Sequence, residues 1–121
     1  MNANAQPSCA CALPRGEQIA RLNDQLRISG TGGEIVMTRA VLALTGPDPT
    51  GLLKALADFS EFDADSDPHG ERDLGIFDFA GAELLWKIDY YDGTELRFGS
   101  SDPSDPEVTQ RVLTVMLAEE Y

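Results

Sequence analysis

"SDPSDPEVTQRVLTVMLAEEY", residues 101–121, closes the chain and decides how the rest of it must pack. Ser104 and Glu107 have the spacing of a capping box and Pro106 suits a first helical turn, so a helix is expected from Ser104 or Asp105 onward. Val108, Val112 and Val115 would form its apolar stripe. A terminal helix leaves the sheet to the segments upstream.

Three of those segments, LGIFDFAG (74–81), ELLWKIDYYDG (83–93) and TELRFGS (94–100), alternate apolar and polar side chains, with turn signals at Ala80-Gly81 and Asp92-Gly93. They read as an antiparallel meander. Further upstream, Ile19, Leu22 and Leu26 recur at helical spacing, which predicts an amphipathic helix over 15–28 ending before the SGTGG breaker. EIVMTRAVLAL (34–44) is β-branched and apolar on both parities, the pattern of a central strand or one covered on both faces. Asp48 and Pro49 then open a helix with Leu52, Leu53, Leu56 and Phe59 as its buried stripe. The expected fold is a small single α+β domain over residues 14–121, a mostly antiparallel sheet of about four strands with helices packed mainly on one face.

Successive strand side chains point to opposite faces, so Trp86, Ile88 and Tyr90 should share the helix side with Phe77, Phe79, Leu96 and Phe98. Lys87, Asp89 and Tyr91, with Asp78, Glu95 and Arg97, fall on the other, polar side. Two readings of that side stand: ordinary cross-strand charge pairing, or a contact surface with Tyr91 as its aromatic centre.

The chain has 121 residues, 42% of them apolar, enough for one compact core. No apolar run approaches the ~20 residues of a membrane helix, and MNANAQPSCACALPRG lacks the basic and apolar regions of a secretory signal, so a cytoplasmic protein is expected. Residues 1–13 read as a disordered leader whose Cys9 and Cys11 do not staple the fold; with His69 alone to join them, a zinc site would be incomplete.

Charge is distributed unevenly. Residues 1–60 carry five basic and five acidic side chains, whereas 61–121 carry sixteen acidic against four basic, the whole of the net −12. Such an excess repels nucleic acid and anionic membranes and favours a basic protein surface as partner. Its densest part is EFDADSDPHGERD (61–73), with six carboxylates. Asp63, Asp65 and Asp67 copy the first ligands of a calcium loop, but Pro68 replaces the required Gly and Leu74 the closing Glu. SGTGG precedes a strand and lacks the Lys of a phosphate-binding loop, and Leu85 stands where a metal-dependent nuclease needs a carboxylate before Lys87. His69 has no Ser or Cys partner in a recognisable setting. Asp67, His69, Glu71 and Asp73 can gather a metal only if the loop folds back. No catalytic residue, resident metal or cofactor is assigned. At the chain's end, Glu119 and Glu120 would sit at the negative pole of the last helix, an unfavourable placement.

GGEIVMTRAVLAL, DSDPHGERDLGIFDF, WKIDYYD and the closing GSSDPSDPEVTQRVLTVMLAEEY resemble a small bacterial family, the domain of unknown function 3768, over roughly residues 17–121. The family pattern is an acidic DPxGExD loop, then WKIDYYD, then a TRVLTIMLAxEY ending; His69 stands where relatives usually carry Tyr and Arg72 where they often carry His. The resemblance carries no activity. It does imply a setting on plasmids, prophages and other mobile elements, and hence dealings with replication, transfer or host defence.

That setting and the acidic surface together give the expected function: a non-catalytic inhibitor that mimics nucleic acid, or blocks a host defence complex of the anti-CRISPR or anti-restriction kind. Alternate residues of an extended segment lie about 6.6 Å apart on one side, so Asp63, Asp65 and Asp67 can form a row resembling spaced phosphates. Glu71, Asp73, Asp89 and Asp92, with Tyr91 as an apolar contact, complete the expected partner-binding set, and Asp102 and Asp105 would widen it. The expected partner is the basic nucleic-acid-binding surface of a host protein or ribonucleoprotein, with no direct contact to nucleic acid or membrane. A mobile-element accessory module that binds protein without mimicry is one alternative; a metal-assisted hydrolase using the acidic loop is another.

Overall fold

The computed structural model describes residues 14–62, 67, 70–92 and 99–121. The leader with Cys9 and Cys11, the carboxylates Asp63 and Asp65, His69, and Glu95, Leu96, Arg97 and Phe98 of the third expected strand lie outside the described residues.

The element order is α1 (Arg15–Asp24), a π-helical turn (Gln25–Ser29), β1 (Glu34–Met37), α2 (Arg39–Thr45), α3 (Thr50–Asp58), β2 (Leu74–Phe79), β3 (Ala82–Asp92), β4 (Thr109–Leu117) and a closing 3-10 turn (Ala118–Glu120). This is an α+β domain with a four-stranded mixed sheet in the order β1-β4-β3-β2. Two of the three pairings are antiparallel, and β1 runs parallel to β4.

Two expected elements change. The terminal helix is instead β4, an inner strand hydrogen-bonded to both β1 and β3. Its burial alternates: Thr109, Arg111, Leu113 and Val115 are buried while Gln110, Val112 and Thr114 are half-buried. That period of two places one row against the core, and Thr109, Val112, Thr114 and Val115 are β-branched residues that suit a pleated ladder better than a helix interior. The capping-box residues serve a turn: the Ser104 amide donates to the Asp102 side chain at 3.1 Å and the Glu107 amide to Asp105 at 2.9 Å. Glu119 and Glu120 therefore end no long α-helix but lie in the short 3-10 turn; Glu120 accepts from the Leu117 amide at 2.7 Å and the Thr38 hydroxyl at 2.9 Å.

The apolar run 34–44 also divides. Thr38 ends β1, its amide donating to Val115 at 3.0 Å, and its side chain accepts from Val41 N to start α2. Val41 alone of that helix is fully buried, whereas Leu42 is 49% exposed.

The main core cluster lies on one face of the sheet, with Leu85 and Met116 buried side by side on the other. Leu26 of the π-turn, Val41 of α2, and Leu52 and Leu56 of α3 pack on Leu84, Trp86 and Ile88 of β3 and on Leu113 and Val115 of β4. Gly75 of β2 makes room for the aromatic packing: a Cβ there would lie 2.6 Å from both Phe59 Cζ and Trp86 Nε1. Beneath it, Phe59 and Phe62 meet Trp86 edge-on at centroid distances of 5.6 and 6.1 Å. The turn between β2 and β3 is the expected Ala80-Gly81, both at positive φ (53° and 81°) as a two-residue hairpin requires.

Arg27 enters this core as a cation. Its guanidinium donates to the carbonyls of Leu56 (2.8 Å), Ala57 (3.1 Å) and Phe59 (2.8 Å), capping the C-terminal end of α3, and lies 5.5 and 5.6 Å from the ring centroids of Phe62 and Trp86. Asp24 supplies the opposing charge at 3.3 Å.

Candidate functional site

The acidic loop enters β2 through Asp67, Gly70, Glu71, Arg72 and Asp73. Gly70 turns at φ 68° with its amide donating to the Asp67 carbonyl at 3.1 Å. Arg72 follows at φ 53°, a conformation unfavourable for a side chain with a Cβ. Two contacts hold it there. Its amide donates to the Asp67 carboxylate (3.0 and 3.1 Å to the two oxygens), and its guanidinium reaches back to α1, 2.9 Å from Asp24 and 3.5 Å from Glu17.

Glu71 is held from the sheet side. Asn23 of α1, wholly buried, donates through Nδ2 to the Glu71 carbonyl at 2.9 Å and to the Tyr90 hydroxyl at 2.8 Å. The Tyr90 hydroxyl donates in turn to the Glu71 carboxylate at 3.0 Å. Asn23 Oδ1 accepts from Arg111 Nε at 2.8 Å, so both ends of the amide are engaged. Arg111, 1% exposed on β4, also donates to the Pro103 carbonyl and stacks 5.2 Å from the Tyr90 ring centroid. Among the described residues it forms no ion pair. The Tyr90 phenol is pushed well above its ordinary value, first by burial and then by the charges of Asp73 and Glu71, with the Asn23 bond opposing. Burial pushes the Arg111 guanidinium below its ordinary value, with Tyr90 and Glu71 opposing.

The expected partner-binding residues separate. The Ile88 amide donates to the Asp73 carbonyl at 2.8 Å, which extends the β2–β3 ladder by one pair. Asp73 therefore shares the helix side with Tyr90, beside Glu71. Asp89 and Tyr91 point to the opposite face, where Asp89 pairs with Lys87 and Tyr91 is half-buried opposite Gln110. Asp92 ends β3, exposed, opposite Thr109. Asp102 is tied into its own turn and to Arg15 at 3.2 Å.

Asn23 and Arg111 were not among the expected site residues. Within a helical stripe Arg111 has no assigned place; in a strand it alternates with Thr109 and Leu113, and a charged residue in a buried row signals a polar network. Among the described residues no group of three or more His, Cys, Asp or Glu side chains is arranged to hold a metal, and no helix is long and apolar enough to cross a membrane. A crevice of about 150 Å³ is lined by Arg27, Ile28, Ser29, Gly30, Ile35 and Leu53, none of them among the described residues of the acidic loop.

Residues 37–120 match the family described as "Protein of unknown function (DUF3768)", and the chain belongs to it. Neither the curated proteins nor the solved structures contain a match.

Proposed function

We propose that this member of the DUF3768 family acts without catalysis, as an acidic docking protein that inhibits a nucleic-acid-binding host defence complex of the anti-CRISPR or anti-restriction kind. It would occupy the Lys- and Arg-rich groove that otherwise holds phosphates.

The observation carrying this reading is where the cations of the acidic half go. Arg111 is buried against Asn23 and Pro103, Arg72 turns back to Asp24 and Glu17, and Lys87 pairs with Asp89. Arg97 lies outside the described residues. These contacts direct three of the four basic groups inward or sideways, and Glu61, Asp78, Glu83, Asp92 and Glu107 remain exposed. A surface with uncompensated negative charge is attracted to a basic groove at long range and associates quickly with it. The Asn23–Tyr90–Glu71 frame supports the same reading, because a carboxylate already held in place, as Glu71 is, loses little freedom on docking.

One observation favours a second reading, an accessory module that binds protein without mimicking nucleic acid: Asp89 and Tyr91 face away from Glu71 and Asp73, so the described carboxylates do not lie in a single row. Capture from host lysate across a salt series tests the proposal. At low salt a nucleic-acid-binding complex should be retained, and it should be lost steeply as ionic strength rises to about 0.5 M. Retention indifferent to salt, or dependent on a divalent metal, would count against it.

A further inference from the structure

We propose that the outer edge of β2 is a docking edge for an extended, basic segment of a partner protein, which would add to the sheet as a fifth strand; this rests on the proposed function and assigns it a surface. β2 is an end strand, and among the described residues no strand pairs with its outer side. The Asp73–Ile88 hydrogen bond fixes the ladder's phase. Residues 73, 75, 77 and 79 turn their peptide groups toward β3, so Leu74, Ile76 and Asp78 present theirs outward.

The side chains beside that edge define the occupant. Ile76 is 49% exposed on the face away from the helices. Next to it on the same face, Asp78 stands directly opposite Glu83, both exposed, and among the described residues neither forms an ion pair. Like charges directly opposite destabilise a hairpin. A lysine or arginine on an incoming strand would relieve that repulsion while an apolar neighbour covered Ile76. Main-chain bonds would supply affinity and the alternate side chains selectivity. Charge complementarity therefore favours a basic strand over a second copy of this chain, since each copy carries a net −12.

The test uses the full chain and a synthetic peptide of about nine residues alternating arginine and valine, followed by amide hydrogen exchange and NMR. Addition of peptide should slow exchange of the Leu74, Ile76 and Asp78 amides at least about tenfold. Replacing both acids, Asp78→Asn with Glu83→Gln, should weaken peptide binding about three- to tenfold without unfolding the chain. Binding whose shifts gather at Asp67, Glu71 and Asp73 while those three amides keep exchanging would overturn the edge assignment and leave the docking function standing. Protection of the same amides that grows with protein concentration and needs no peptide would overturn it in favour of a second copy. Absence of any binding would overturn it as well, and only the lysate experiment would then bear on the wider function.

Discussion

Tyr90 joins the acidic loop to the core through one hydroxyl, accepting from Asn23 and donating to Glu71. Tyr90→Phe keeps the ring over which Arg111 stacks but leaves Asn23 and Glu71 each short of a partner, so it should cost about 1–3 kcal/mol in urea unfolding. The same variant alters the alkaline limb. Because burial raises the Tyr90 phenol in the folded state, its contribution is complete below the ordinary value near 10 and is lost as pH rises toward the folded value. Stability should therefore fall between about pH 10 and 11, and by less in Tyr90→Phe; parallel curves would refute this. The opposite sign holds at Asp102. The Ser104 hydroxyl, above all, holds its carboxyl below the ordinary value; burial opposes this, while the Ser104 amide and Arg15 add to it. Its contribution is present above about pH 4 and is lost as pH falls through the lowered value. Ser104→Ala should move the Asp102 titration upward in carboxyl-carbon NMR, and an unmoved titration would remove the hydroxyl's role.

At the scale of elements, α3 and β2 each depend on a single accommodation. Arg27→Met leaves the terminal carbonyls of α3 without their donor and should lower stability by about 2–4 kcal/mol, with exchange at the end of α3 rising first. Gly75→Ala forces a methyl into Phe59 and Trp86 and should cost about 1–3 kcal/mol, read as a lowered Tm. The elements also show where sequence was readable. The helix around Ile19 and Leu26, the α3 stripe through Leu52 and Leu56, the Ala80-Gly81 turn and the parity of Trp86, Ile88 and Tyr90 all follow from local periodicity and turn chemistry. β4 did not. Val108, Val112 and Val115 have helical spacing, but what fixes residues 109–117 is lateral pairing with β1 and β3, more than seventy and about twenty-five residues away. Thr38 similarly ends a strand that apolar content alone would continue.

For the whole molecule, the frame around Glu71 shows why so little of the candidate site was legible. The loop's acidity is plain in the chain, yet its attachment requires Asn23, Tyr90 and Arg111 from three elements, which only the tertiary fold brings together. Net charge makes a global prediction of its own. At −12 the folded chain repels itself, so raising salt from about 0.02 to 0.3 M should raise its Tm by a few degrees, while the proposed docking predicts that the same change weakens binding to a basic partner. These opposite responses separate folding from docking. The most direct test is competition: the complex captured at low salt is challenged with duplex DNA or its own guide or substrate nucleic acid. Docking in the phosphate groove predicts mutual exclusion, with the affinity of the chain falling as salt rises. A ternary complex that holds chain and nucleic acid together would contradict it.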